Sequence, residues 1–411
     1  MLFRAEVLST QSKVQISEQK AKFLLLFLTL HSSFFTKIYY LCTAEGTSSY
    51  MKAILFSLLM MCSLSCASTT DKAKGIANDS TAVVESPADS LHITLAMTGD
   101  IMMGTTYPTP KLPPNNGRNM FSEVKELLCS ADVALGNLEG TFSEGLESRK
   151  NPGPYSYSFS MPRSYGHYLV EAGYDYLSVA NNHTWDFKDP GVLRTEVVLD
   201  SLGLLYSGAA GRRESVVIER KGVRIGICAF CHEKYTLNLV DSAEVRRVIN
   251  DLKPKCDIMV VSIHGGAEGR NKMRLPYEAE YFQGDNRGYL RNTAHMLIDM
   301  GVDVVFGHGP HVVRCMEMYR GRLIAYSLGN FCTPVGISVS GVTGYAPLLE
   351  LTIDREGQFV SGKIHSFLQQ SGFGPRKDDK HTVARQIRQL SLEDVPHSEA
   401  IISDDGTIRK K

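Results

Sequence analysis

Seven side chains of the types that bind metal ions or transfer protons occur along the middle of this 411-residue chain. In chain order they are Asp100, Glu139, Asn182, His183, His264, His308 and His311. Carboxylate, amide oxygen and imidazole together suit a hard or borderline divalent ion such as Zn, Mn, Mg or Fe. All of them except His183 are therefore predicted ligands of one or two such ions.

A centre of this kind suits the hydrolysis of a phosphoester. Two ions about 3.5–4 Å apart would clamp a phosphoryl group and supply a hydroxide nucleophile, and Glu139 could bridge them. His183, which follows the amide ligand Asn182, could donate a proton to the leaving oxygen. We therefore predict that His183 and Asp100 are catalytic. Five further polar residues are predicted to contact the substrate or to orient the ligands: Asn137, Asn181, Asp186, Glu268 and Asn330.

Short apolar segments, typical of buried strands, lead into these residues. Residues 93–97 lead to Asp100, 133–135 to Glu139, 176–180 to Asn182 and His183, 258–261 to His264, and 304–306 to His308. Open α/β sheets bind their ligands outside the carboxyl ends of the strands. We therefore expect the candidate residues to converge at one edge of the fold.

Helical patterns alternate with these strands. Pro162 predicts the start of a helix that ends at Gly173, and Asp189 with Pro190 predicts another, with Asp189 as its N-cap, that ends near Gly203. The alternation predicts an α/β fold with several parallel connections. Beyond about residue 372 the sequence turns polar and irregular, so we predict a poorly packed tail over residues 372–411.

The beginning of the chain carries features of export. Residues 51–66 hold Met-Lys, an apolar stretch and Ser65-Cys66, which resembles a lipoprotein signal with Cys66 as the lipidated residue. This predicts an exported lipoprotein, anchored in the membrane and facing the periplasm or cell exterior. Residues 1–50 are interpreted as an upstream mis-start or an extended signal, with a single transmembrane anchor as the alternative, and residues 67–91 as a flexible tether.

Composition narrows the class of partner. The chain is 43% hydrophobic and 21% charged, which permits a sizeable core. The formal net charge is zero, and the last three residues form its one basic run. The sequence therefore offers no electrostatic case for binding nucleic acid.

Six motifs in order along residues 92–371 resemble the CapA family of bacterial capsule and poly-γ-glutamate synthesis proteins. They are Thr98–Gly104, Gly136–Gly140, Ala180–Asp186, Ser262–Glu268, Gly307–Val312 and Ser327–Phe331. That family is similar to calcineurin-like metallophosphoesterases, and the resemblance implies a four-layer α-β-β-α sandwich with a metal site at the strand ends. It also implies an anionic surface polymer or its phosphorylated precursor as partner, together with other capsule-assembly proteins.

The motifs depart from the calcineurin-like pattern in three places. Met102 stands where a histidine ligand is expected, Glu139 stands for a bridging aspartate, and His308 and His311 are separated by two residues. The change at Met102 removes one nitrogen ligand. It favours a second hypothesis, a non-catalytic component that binds or assembles the polymer on the same fold.

A rival pattern occurs at Cys228, Cys231 and His232, which have the Cys-x-x-Cys-His spacing of c-type haem attachment. It would make the protein an electron carrier. The segment follows an apolar strand pattern, however, so the two cysteines would face opposite sides of a sheet. A disulfide or redox pair and plain buried cysteines are the alternatives.

Overall fold

The computed structural model describes residues 91–150 and 156–411. The predictions for the upstream segment, the signal, Cys66 and the tether up to residue 90 lie outside these residues. In the described part, no helix is both long enough and apolar enough to cross a membrane.

The described residues form nineteen strands and six α-helices. The strands are β1 (Ile93–Ile101), β2 (Val133–Leu138), β3 (Tyr176–Ser178), β4 (Leu205–Ser207), β5 (Ser215–Arg220), β6 (Val223–Cys231), β7 (Ile258–His264), β8 (Tyr281–Phe282), β9 (Asp285–Asn286), β10 (Val304–His308), β11 (Met316–Tyr319), β12 (Arg322–Ala325), β13 (Asn330–Cys332), β14 (Leu348–Ile353), β15 (Phe359–His365), β16 (Phe367–Gln370), β17 (Gly374–Lys377), β18 (Ala400–Ile402) and β19 (Thr407–Lys410). The helices are α1 (Lys125–Ser130), α2 (Gly166–Ala172), α3 (Lys188–Leu202), α4 (Ser242–Leu252), α5 (Leu290–Asp299) and α6 (Thr382–Asp394).

Two sheets form the centre of the fold. The larger has the order β18-β19-β15-β14-β1-β2-β3-β4, with β13 also beside β1. The smaller has the order β11-β12-β10-β7-β6-β5. Strands β1 to β4 are parallel to one another, as are β6, β7, β10 and β12. All strands of one parallel run therefore end at the same edge of their sheet.

The alternation of side chains along β1 separates two cores. Leu95 and Met97 pack with the smaller sheet, whereas Ala96 and Ile101 pack with helices α1 to α3. Helices α4 and α5 cover the smaller sheet, and a Cβ atom at Gly226 of β6 would lie 3.0 Å from Leu252 of α4. The layers are therefore helix, sheet, sheet and helix, which confirms the predicted α-β-β-α sandwich.

Aspartates tie the strands together at the edge opposite the predicted site. Asp132 Oδ2 accepts a hydrogen bond from Thr94 N at 2.8 Å, and Asp303 Oδ2 accepts one from Met259 N at 2.8 Å. Each carboxylate precedes one strand and binds the first residues of its neighbour, which fixes their register.

The predicted helix ends are confirmed, and one predicted start is wrong. Gly173 and Gly203 follow α2 and α3 with φ of 101° and 71°, the left-handed conformation that favours glycine. Helix α3 begins at Lys188, so Asp189 lies inside it and is not the N-cap. The Asp189 carboxylate instead accepts a hydrogen bond from Trp185 Nε1 at 2.9 Å, and Pro190 is tolerated because first-turn N–H groups have no helical partner.

The prediction of a poorly packed tail over residues 372–411 is also wrong. Helix α6 buries Val383, Ile387 and Leu390, which are spaced by one or two helical turns. Strands β18 and β19 add to the edge of the larger sheet through β15. The segment is polar on average because only one narrow face of α6 is apolar. The residues against which that face packs are distant in sequence.

Candidate metal centre

Strand register brings the predicted ligands to one edge. Asp100 on β1 lies opposite Asn137 on β2 and opposite Asn330 on β13. His264 and His308 are partners at the ends of β7 and β10. The two sheets therefore each contribute polar side chains at the carboxyl ends of their parallel strands, as expected for α/β folds.

A close approach of backbones holds Asp100 in place. Asp100 N donates to Gly329 O at 2.9 Å. A Cβ atom added at Gly99 would lie 2.0 Å from that same oxygen, so glycine is required before Asp100.

Asp100, Glu139 and His311 each offer one ligand atom within 4.8 Å of the others. His308 Nδ1 lies 3.4 Å from Asp100 Oδ1, and His264 Nε2 lies 4.0 Å from Glu139 Oε1. The backbone of His311 has a φ of 58°, which is uncommon for a residue other than glycine. Its ring reaches between the carboxylates, with Nδ1 3.2 Å from Asp100 Oδ2 and Nε2 3.6 Å from Glu139 Oε1.

Several of these buried atoms have no hydrogen-bond partner among the described residues. They are both carboxylate oxygens of Glu139, Nε2 of His264, both ring nitrogens of His308 and Oδ1 of Asn182. A buried polar atom without a partner is costly, and a buried carboxylate more so. Because the unpaired atoms are all of kinds that bind metal ions, the donor set fits a divalent cation.

The pKa shifts follow from crowding two carboxylates in one buried place. Burial raises the pKa of Glu139 well above its usual range, and the nearby charge of Asp100 raises it further. Burial also acts to raise the pKa of Asp100, but the nearby imidazoles of His308 and His311 outweigh it and hold the pKa low. Burial lowers the pKa of His311, yet Glu139 and Asp100 raise it to about 10. A cation bound between the two carboxylates would favour the ionised form of Glu139.

Three predicted asparagines form hydrogen bonds with the predicted ligands or with one another. Asn137 Nδ2 donates to Asp100 Oδ1 at 2.8 Å, and Asn181 Nδ2 donates to Asn137 Oδ1 at 3.2 Å. Asn330 Oδ1 lies 3.0 Å from His311 Nδ1. Asn182 lies to one side, with its Nδ2 3.5 Å from Glu268 Oε1, while Glu268 Oε2 lies 3.9 Å from His311 Nε2.

His183 and Asp186 form a separate buried pair beside the ligands. His183 Nδ1 lies 2.8 Å from Asp186 Oδ2, which leaves Nε2 as the nitrogen free for proton transfer. Burial lowers the pKa of His183, and the charge of Lys150 lowers it further, so the resting imidazole is neutral at pH 7. Lys150 Nζ lies 2.5 Å from Asp186 Oδ1 and 3.4 Å from His183 Nδ1.

Comparison with known proteins decides the family. The family described as "Bacterial capsule synthesis protein PGA_cap" matches residues 94–334, more than half of the 411 residues. The chain belongs to this family. The resemblance predicted from the six motifs is thereby confirmed.

The PGA_cap chain is 27% identical over 260 residues to the capsule biosynthesis protein CapA of Bacillus anthracis, covering 58% of this chain and 59% of that protein. It is 26% identical over 263 residues to the PGA biosynthesis protein CapA of Bacillus subtilis, covering 58% and 63%. It thus spans about three fifths of each relative. Among solved structures, it is similar to a putative 5′-nucleotidase of Staphylococcus aureus, with 13% identity, a TM-score of 0.41, and coverage of 73% and 58%.

Two cationic side chains at this site were not predicted from the sequence. Lys150 contacts the His183–Asp186 pair, and the buried Arg287 donates from Nη1 to Glu268 Oε1 at 2.9 Å. Both stand in loops outside the six motifs, and nothing in their spacing distinguishes them from surface cations. Lys150 lies 33 residues from His183 in sequence, and Arg287 lies 19 residues from Glu268, so only folding brings each cation to its partner.

The haem pattern of the PGA_cap chain is not placed for attachment. Cys228 and Cys231 are fully buried on β6 and belong to different clusters of the core. Both are free thiols, and burial raises the pKa of Cys231 to about 12. Burial of both thiols in different core clusters disfavours haem attachment and a disulfide between them, and it favours plain buried cysteines.

A buried ion pair supports the loop that carries Glu268. The fully buried Arg314 binds Glu280 through two contacts of 2.6 and 2.7 Å, and Glu280 Oε2 also accepts a hydrogen bond from Ala267 N at 3.0 Å. Arg314→Met would leave the Glu280 carboxylate buried without its cation. We expect the free energy of unfolding in urea to fall by about 3–5 kcal/mol.

Arg224→Met is the control, because it removes an exposed arginine from its pair with Asp257. It should leave the urea midpoint almost unchanged. An equal effect of the two substitutions would contradict the structural role of Arg314.

Proposed function

We propose that this PGA_cap protein is an exported, metal-dependent hydrolase of the phosphoesterase type. It would act in making, releasing or attaching an anionic surface polymer, a capsule polysaccharide or poly-γ-glutamate. The relatives named for capsule and PGA biosynthesis support the biological setting. The chemistry is supported by the site itself.

One observation carries the proposal: buried ligand atoms of Glu139, His264 and His308 have no hydrogen-bond partner in the described part of the chain. A site that is only structural would pair such atoms, because each unpaired one costs free energy. Asp100, Glu139, Asn182, His264, His308 and His311 would hold a divalent cation, Zn, Mn, Mg or Fe. Such an ion supplies Lewis acidity and activates water for attack.

The remaining steps belong to side chains of this protein. His183, neutral at rest and bound through Nδ1 to Asp186, would take up at Nε2, by way of solvent, the proton lost by the attacking water. The Asp186 carboxylate stabilises the imidazolium that results, and Lys150 holds that carboxylate in place. The same nitrogen then returns the proton to the leaving oxygen, so the step is balanced.

The test is metal analysis of the purified protein together with hydrolysis of bis(p-nitrophenyl) phosphate. We expect close to one bound ion or more per chain, and turnover that a chelator abolishes and that metal restores. A parent protein free of metal after purification in metal-rich medium would refute the proposal. So would turnover that the chelator leaves untouched.

A second candidate function is supported by Met102, which is fully buried and offers no nitrogen at the position of an expected ligand. With one ligand fewer, the fold would serve as a binding or assembly component for the polymer without cutting a bond. The two functions differ in their dependence on His183.

The proposed location has its own test in Cys66. Cys66→Ser should move the protein from the membrane fraction to the soluble periplasmic fraction, because the lipid anchor would be lost. Cys62→Ser is the matched control in the same segment and should fractionate like the parent. If the Cys66 variant stays with membranes, the anchor lies elsewhere in the first 66 residues.

A further inference from the structure

A groove starts beside His183 and runs along the surface. Its first part, about 210 Å³, has walls that include Tyr107, Tyr157 and Phe159, and the Phe159 ring lies 4.2 Å from the His183 ring. Its second part, about 600 Å³, lies along residues 334–340. Lys111 and Gly336 line both parts, so the two parts adjoin, and together they are here termed the Lys111 groove.

The charge of the Lys111 groove has one sign. None of the described residues that line its two parts is an aspartate or glutamate, whereas Lys150 and Lys111 line the first part. Arg270 Nη2 lies 3.3 Å from Ser338 Oγ, which places a third cation beside the second part. Cations therefore lie at three places along the groove, beginning next to the proposed catalytic pair.

One of these cations keeps its donors free for a ligand. Lys150 Nζ contacts Asp186 Oδ1 and Tyr157 O and also lies 3.4 Å from His183 Nδ1. Lys111 is exposed, and its ammonium group has no hydrogen bond or ion pair with the described residues. Its backbone, however, is fixed by two hydrogen bonds to Thr105, of 2.7 and 2.9 Å. The free charge is thus held at a defined point of the groove.

We infer that the Lys111 groove holds an extended chain with repeated anionic groups, so that several units of the substrate lie on one side of the bond to be cut. This inference rests on the proposed function for the position of that bond. An elongated, open groove with spaced cations complements a linear polyanion, whereas a single small ligand is normally enclosed by its pocket. Tyr107 and Tyr157 would pack against the aliphatic part of the chain.

The experiment measures equilibrium binding of poly-γ-glutamate of defined length to the purified full chain by calorimetry. Lys111→Glu and Arg270→Glu should each weaken binding of long chains by about tenfold, because an attraction becomes a repulsion near the surface. Lys125→Glu on α1, an exposed lysine that lines neither part of the groove, should bind like the parent. Affinity should also rise with chain length and fall with added salt.

Hydrolysis of bis(p-nitrophenyl) phosphate separates this inference from the proposed function. Lys111→Glu and Arg270→Glu should keep parental turnover and metal content, since neither contacts the metal ligands. Absent turnover with binding that still depends on Lys111 and Arg270 would refute the hydrolase and uphold the groove. Three results would overturn the groove: parental binding by both variants, equal affinity for free glutamate or inorganic phosphate and for the long chain, or equal affinity for neutral dextran.

Discussion

Replacing His308 with alanine is expected to strip the protein of most of its metal. His308 is fully buried, and both of its ring nitrogens lack hydrogen-bond partners among the described residues, so its one evident use is as a ligand. Loss of residues that only orient a ligand costs 10- to 100-fold in metal affinity. Loss of the ligand itself should cost at least about 100-fold, seen as a fall in bound metal after dialysis.

His365→Ala is the matched control for this substitution. His365 also lies at the end of a strand, but its Nε2 pairs with Glu350 Oε2 at 2.8 Å outside the site. It should leave the metal content unchanged. Full metal in the His308 variant would mean that the strand-end histidines are not ligands, and the family likeness would then extend to the fold alone.

His183→Ala is expected to have the opposite signature: bound metal nearly unchanged, and kcat lower by roughly 10²–10⁴, the usual contribution of a general acid or base. His183 is held by Asp186 and packs on Phe159, and it contacts none of the six proposed ligands through a hydrogen bond. Metal analysis and phosphodiester turnover on the same preparation give the two readouts.

His167→Ala serves as control, because His167 is an exposed histidine on α2. It should match the parent in both readouts. If the protein is an assembly component, His183→Ala should leave polymer production near the parental level while His308→Ala still lowers it. Loss of metal in the His183 variant would contradict the separation of proton transfer from metal binding.

Local sequence signals predicted the elements that converge on the site. The segments before Asp100, His264 and His308 are short, mostly apolar and almost fully buried, which is typical of strands covered on both faces. Gly173 and Gly203 ended helices because the left-handed conformation at a C-terminus favours glycine. The metal ligands were predicted because parallel strands of one sheet end at the same edge. Their roles stay predictions until bound metal is measured.

Other features had no local signal. The packing of α6 depends on contacts with β11 and the smaller sheet, so a polar average composition misled the prediction for residues 372–411. Asp189 has the sequence position of an N-cap, but the side chain of Trp185 takes its carboxylate. A tertiary contact outweighed the local preference in the first case, and a side-chain contact four residues away outweighed it in the second.

The sequence by itself determined the family, the α/β class and the residue types at the strand ends. Hydrophobic periodicity and the residues that follow a strand are local properties of a sequence. Only the tertiary structure decided which atoms around Glu139 lack hydrogen-bond partners. It also decided that Lys150 contacts the His183–Asp186 pair and that Lys111 lines a groove whose described lining residues include no carboxylate. The burial of a side chain and the charges around it depend on many residues that are distant in sequence, so no local sequence pattern predicts them.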